Sequence, residues 1–402
     1  MTYQSAANVL VALKAESTTG VAVSVVTGAA QLRINDSPGL KLNRAVVQSE
    51  EKRADGLKTM GRLGFISTDG SFNSELSPGG ATDILLEAVM RGTWATLTSI
   101  GFATMTSLTF GTNEVVANAG DWVGTEGIRV GDVFRLSNAI AANTDKNFMV
   151  TAVSSLVITV ATGLLTADIS ATTTGTLSRL RKLINPATPT KRTFNIEQYD
   201  RDIDLSELFL GQKLVGLNLS CQPGQMVQAT YTFIGMNRTA LATGTSPFFT
   251  SPSLTTSLGM IADDSSIRFN GALVTDFTGF DLNFQISAAG VPVIGSNVSP
   301  DIFDNDMMVS GSITGLRQDF SAITLYDSET EFEVSILLEE NEAAPKSCLG
   351  IFIPRAKFQS LSASVGGGDG AKIETRELMI GPKTAATGHD GTIVAFHSSE
   401  AP

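Results

Sequence analysis

Few side chains in this sequence could carry covalent or metal chemistry, and their spacing does not suit it. The two histidines, His389 and His397, both lie near the chain end in a Thr/Gly/Ser-rich stretch. A mechanism needing an imidazole fixed in a core would have to recruit that stretch, so histidine catalysis is not expected. Cys221 and Cys348 are remote from each other and from His, which suits neither a disulfide framework nor a metal site. Both read as small buried apolar residues from a reducing compartment. Asp200, Asp202 and Asp204 have the spacing that opens a calcium loop. That loop needs Gly at its sixth position and Glu at its twelfth, where this chain has Leu205 and Gly211. The three read instead as solvated or inter-subunit carboxylates before a short helical stretch, Leu205 to Leu210. The glycine-rich run Val365 to Lys372 suggests a phosphate loop. No Ser or Thr follows the Lys, however, and the next residues alternate as a strand, so a hairpin turn is expected. With no nucleophile elbow and no signalled carboxylate pair, the sequence implies no enzyme, metal or cofactor.

Two charged stretches remain. Lys41 to Arg62 holds Lys41, Arg44, Lys52, Arg53, Lys58 and Arg62, interleaved with Glu50, Glu51 and Asp55 and lacking aromatic residues. It reads as a solvated loop, or as one that docks onto an acidic neighbouring copy. Glu331 to Glu339 alternates: Phe332, Val334, Ile336 and Leu338 share one face, and Glu331, Glu333, Ser335 and Glu339 the other. The acidic face looks either at water or into a channel.

The elements that must position these residues are mostly strands. The chain has 402 residues, 40 Asp plus Glu against 28 Lys plus Arg, a net charge of -12 and 42% hydrophobic residues. That is enough to build cores, and the acidic balance argues against binding a polyanion through clustered cations. Met1 to Leu13 lacks the pattern of a secretory signal, and no long apolar run implies membrane insertion. Val, Thr, Ile and Phe alternate with small polar residues in short runs between turn residues, so a mainly β protein is expected. The best helix spans Ala81 to Arg91, with Ile84, Leu85, Ala88 and Val89 as its packing stripe, Ser77 as N-cap and Gly92 as the left-handed terminator.

An internal repeat is present. Lys213 to Gly224 and Ala229 to Gly235 lie on Lys357 to Gly368 and Thr375 to Gly381, at offsets of 357 − 213 = 144 and 381 − 235 = 146. Gly70 to Leu76 resembles Gly311 to Arg317, before Phe320 to Tyr326, at 311 − 70 = 241. The offsets differ by 241 − 144 = 97, which requires an insertion in the first copy. Residues 104–178 carry their own strands, at Ile128 to Leu136, Asn147 to Val153, Leu156 to Val160 and Thr172 to Leu177. They are expected to form a small β-barrel-like module on the surface, whose deletion would still permit assembly. The resulting division is 1–103 and 179–245 for repeat one, 104–178 for the insertion, 246–385 for repeat two and 386–402 for a flexible tail.

Three blocks then carry a resemblance. Arg53-Ala-Asp-Gly56, Gly70 to Gly79 and Leu85 to Trp94 resemble the N-terminal signature of tail tube proteins from long-tailed, non-contractile bacteriophages. Phe194 to Tyr199 with Asp204 to Phe209, and Val293 to Phe303, are similar to further blocks in the same order. The resemblance implies two tandem β-sandwich or barrel repeats, each with a flanking helix, in a virion protein assembled in the host cytoplasm. It implies stacked rings around a DNA conduit, with a tape measure protein and tail terminator and tip proteins as partners. The duplication suggests a homotrimeric ring of six tube folds. Glu331, Glu333 and Glu339 are the candidates for an acidic lumen that DNA passes without specific binding. Lys52, Arg53, Asp55, Lys58, Asp301 and Asp304 are those for loops between rings. The alternative is a capsid or decoration protein of the virion.

Overall fold

The computed structural model describes residues 3–340, 345–363, 370–383 and 392–399. It is mainly β, and its strands form two sheet systems. The larger is built on an antiparallel ladder of eight long strands. In spatial order these are Gly39–Val47, Arg62–Glu75, Gln228–Gly235 and Leu205–Cys221, then Phe277–Gly290, Ile302–Leu316, Ile373–Ile380 and Cys348–Ala363. The second four repeat the first four in the same order. Their registers match as well: Leu40 faces Gly70 as Leu282 faces Gly311, and Ala229 faces Ser74 as Glu374 faces Gly315. A bulge between Leu214 and Gly216 recurs between Phe358 and Ser360.

The pairing corrects one offset. Lys213 faces Ile234 and Lys357 faces Met379, so the second strand of this hairpin is displaced by 379 − 234 = 145 rather than 146. Side chains alternate with period two, so only the odd value lays buried Phe233 on buried Leu378; the even one would lay it on exposed Met379. The glycine-rich run that joins the second hairpin lies mostly outside the described residues.

One core joins both repeats, from Val11 to Phe396. Helix α1, Gly80–Met90, buries eight of its eleven residues there. Leu85, Leu86, Val89 and Met90 are fully enclosed, and each such side chain contributes about 1.5–3 kcal/mol. Ile84 is only partly buried. Ser77 does not cap the helix. Gly79 (φ 86°) and Gly80 (φ 53°) hold a left-handed path that glycine alone adopts cheaply, which moves the start beyond Ser77, and the Gly79 N–H donates to Asp83 Oδ1 at 3.2 Å. The left-handed terminator is Arg91 (φ 53°), one residue before Gly92. Helix α2, Ser321–Asp327, occupies the matching place in the second repeat.

Two expected elements differ. Leu205 to Leu210 is strand, not helix: it is paired on both edges, by Phe194–Asp200 and Asn237–Ala240. It also buries residues of both faces, which erases the alternation that marks a half-exposed strand. The chain end is not a loose tail throughout, because Ala395–Ser398 is a buried strand between Arg181–Leu183 and Cys348–Ala363.

The second sheet has eight strands and its own core, which includes Trp122, Phe134, Phe148 and Leu177. It begins at Thr98, where Thr98–Gly101 pairs with Thr176–Arg179. Asn147–Val153 has the expected bounds, whereas the run from Ile128 becomes strand only at Val133.

Candidate self-assembly surface

Where the two repeats meet, Gly216 to Cys221 pairs with Phe280 to Gln285. By the offsets 144 and 242 (282 − 40), the counterparts of these two segments are residues 360–365 and 38–43. Of these, 360–363 and 39–43 lie at opposite flanks of the ladder. Among the described residues, Lys357 to Ala363 pairs only with Ile373–Ile380, and Gly39–Val47 only with Arg62–Glu75. The flanks are open apart from Leu40, whose N–H donates to Gln198 Oε1 at 2.7 Å. A joint made once inside the chain therefore has one free partner on each side, and unpaired backbone groups template another strand.

One face of the ladder is core and the other is small and polar. Directly opposed residues share a face. The pairings define a row of Glu75, Gln228, Ser220, Asp281, Ser312, Glu377 and Ser360 across seven strands. Next to it run Asn73, Thr230, Asn218, Asn283 and Ser310. Glu75, Asp281 and Glu377 stand in no ion pair among the described residues. Sequence reading missed this face because its strands are scattered along the chain; polar alternation was the local signal.

The expected lining strand, Phe332–Glu339, pairs with Cys348–Ala363 and Ser266–Phe269 and contributes no residue to this polar row. Its apolar face is buried as anticipated. Glu331 pairs with Arg355 at 2.6 Å and Glu333 with Lys383 at 2.6 Å, and the Arg355 hydrogen bond holds the Glu331 carboxyl below its usual range. Glu339 accepts from Asn147 Nδ2 of the inserted unit at 2.8 Å, and Leu337 packs with Val133 and Met149 of that unit. The inserted unit thus covers the half of the strand that holds Glu339.

Beyond the ladder project two arms. The first, between Gly39–Val47 and Arg62–Glu75, bears Lys52, Arg53, Asp55 and Lys58, all exposed, with Arg53 paired to Asp55 at 2.7 Å. It also exposes Leu57 and, at 94%, Met60. The second, between Phe277–Gly290 and Ile302–Leu316, exposes Val293 and Ile294. The second arm touches the strand at the base of the first, where Ile66 N–H donates to Asn297 O at 2.7 Å. Asp301 sits at the base of the second arm, with Oδ1 accepting from Ile302 N–H. Asp304 is not on the loop surface: its carboxylate is enclosed with Lys213 (2.7 Å), Lys191 (3.0 Å) and Arg91 (3.3 Å). Burial pushes that carboxyl up, but the bonds from Lys213 and Lys191 outweigh it and hold it low.

The remaining chemical candidates have structural partners. Asp202 accepts from Asn8 Nδ2 and Ser5 N–H, and Asp204 accepts from Tyr199 Oη at 2.9 Å. No cluster of three metal-ligating side chains occurs among the described residues. Cys221 and Cys348 are buried, and burial pushes the Cys348 thiol up to about 12. No helix among the described residues is long and apolar enough to cross a membrane. His389 lies outside the described residues.

A family model described as phage tail tube protein matches residues 6–395. Comparison with curated proteins returned no match.

Proposed function

The chain belongs to the phage tail tube protein family and is a structural protein of the virion tail, and we propose that it builds the tube from rings of three chains. The observation that carries the reading is the joint between Gly216–Cys221 and Phe280–Gln285. The same joint, made between residues 360–363 of one chain and 38–43 of the next, adds a copy head to tail. Three chains then present six repeats, and closure leaves no open edge.

The polar face with Glu75, Asp281 and Glu377 lines the bore. Short hydroxyl and amide side chains keep it smooth, and carboxylates repel phosphates, so DNA slides through without the ion pairs a basic wall would form. Glu331, Glu333 and Glu339 take no part in this lining. The arms, with Lys52, Arg53, Asp55 and Lys58 on one and Asp301 at the base of the other, reach the next ring; Asp304 instead anchors the second arm to its own chain. A tape measure protein occupies the bore during assembly, and terminator and tip proteins close the ends.

Ala363→Pro on the full chain tests the joint, because the Ala363 N–H faces the open flank, so proline there removes an edge donor while the strand keeps its hydrogen bonds to Ile373–Ile380. The expected result is a folded protomer, by circular dichroism, that forms no tubes in negative stain. Tubes at wild-type yield overturn the edge reading, and native mass measurement giving six chains per ring overturns the trimer.

A further inference from the structure

The strand Ala395–Ser398 sits where three parts of the molecule meet. On one edge it pairs with Arg181–Leu183, the segment by which the chain leaves the inserted unit, and on the other with Cys348–Ala363 of the second repeat. Neighbouring side chains of a strand point to opposite faces, so this ribbon addresses two bodies at once. On one face Arg181 forms an ion pair with Asp83 of α1, and its guanidinium lies 4.9 Å over the Trp94 ring. Its Nη2 also reaches Ser398 Oγ at 3.2 Å. On the other face Lys182 Nζ at 2.6 Å and His397 Nε2 at 3.1 Å converge on Oδ1 of Asp132, which comes from a turn of the inserted unit. Asp132 and His397 are fully enclosed. Around them Val133 and Met149 of the unit pack with Leu180 and Cys348. Gly131 lies so close to the Phe352 ring that a Cβ there would overlap it.

We infer that this strand is a clasp: seating residues 395–398 fixes the inserted unit on the second repeat and α1 of the first repeat on the same ribbon. Without the strand, Asp132 loses one of its two hydrogen-bonding side-chain neighbours in a site shielded from water, and the edges of Arg181–Leu183 and Leu349–Phe352 lose their backbone partners. A buried carboxylate stripped of a partner is far costlier than an exposed one, so the unit cannot hold its docked position with the strand out. The inserted unit is therefore part of the rigid protomer and not a pendant decoration, and the chain end completes it. This holds for the single chain, whatever the ring.

The test is native-state hydrogen exchange on the full-length protein in low denaturant, read on the protomer so that tube formation plays no part. The amides of residues 181–183, 349–352 and 395–398 are expected to open as one cooperative unit below the global transition, while the core of the inserted unit around Phe134 and Phe148 stays protected. Asp132→Asn should speed exchange throughout that unit on the order of 100-fold, the scale for breaking a buried pair. Exchange of 395–398 on its own, with 181–183 still protected, overturns the clasp. So does an Asp132→Asn protein whose 395–398 amides exchange at the wild-type rate. Should that variant not fold, the wild-type isotherms decide alone.

Discussion

The two repeats share a ladder but not a helix. By the offset of 241, Ala81 corresponds to Ala322, and both are buried. From there the copies diverge: Asp83, Leu85 and Leu86 correspond to Thr324, Tyr326 and Asp327, enclosed in the first copy and exposed in the second. Helix α1 runs eleven residues and α2 seven. Beneath α2 a cavity of about 220 Å³ opens between Leu325, Phe277, Phe332 and Phe358. The first helix is held by Arg181, where the chain returns from the inserted unit; the second has no such neighbour among the described residues. A duplicated backbone thus tolerates very different helices. The ladder specifies the unit, and the helix records what packs on it.

The largest contrast should come from the buried charge. Asp83→Ala strands the Arg181 guanidinium in a nearly closed site and removes the acceptor of the Gly79 N–H, a loss of about 3–5 kcal/mol. The matching change, Thr324→Ala, removes one exposed hydrogen bond to Phe320 O and should stay within about 0.5 kcal/mol. Urea unfolding of the two variants measures both. Equal losses would mean that the helices are equivalent and that the Arg181 contact is incidental.

Side-chain truncation gives a smaller contrast. Leu85→Ala should cost about 2–5 kcal/mol, because the site is enclosed on every side. Tyr326→Ala in the second copy should cost about 0.5 kcal/mol or less. Thermal shifts on the same pair would sharpen the comparison, and a large loss at Tyr326 would show that α2 is tightly seated in solution.

What the sequence makes legible follows the range of the physics involved. Alternation and turn residues are local, so the buried face of Phe332–Glu339 and the bounds of Asn147–Val153 can be read directly. The duplicated hairpin is legible because both copies keep the same strand, turn and strand. Leu205 to Leu210 misleads because burial on both faces removes the period. Asp304 misleads for a different reason. Its partners Arg91, Lys191 and Lys213 are far apart in sequence, and a carboxylate beside a loop looks solvated until the fold gathers them. The polar row through Glu75, Asp281 and Glu377 draws on seven strands from both repeats, and only the registers assemble it. His397 sits in a stretch whose composition reads as a loose tail, yet its strand is set by the edges waiting at Lys182 and Gly350.

The smallest expected effect concerns pH, and it too separates the repeats, since the first helix hangs on the ribbon that carries His397. Burial pushes the His397 pKa below its ordinary value of 6.5, more strongly than Asp132 raises it, while Lys182 and Arg179 lower it further. The folded imidazole is therefore neutral where the unfolded one takes a proton. Its contribution is complete above pH 6.5 and declines as pH falls from that value toward the folded pKa. Asp132 behaves differently. Burial pushes its carboxyl up, but Lys182 and His397 outweigh that and hold it far below 3.8, so its contribution persists until the ordinary carboxylate range and is lost below it. Melting temperature against pH should thus fall in two stages, one beginning just below neutrality and one in acid. His397→Gln, which cannot charge, should abolish the first stage and keep the second. A wild-type profile that stays flat between pH 7 and about 5.5 would show that the folded imidazole binds a proton as readily as the unfolded one. Asp132 would then face two cations, and the neutral clasp would have to be redrawn as a charged one.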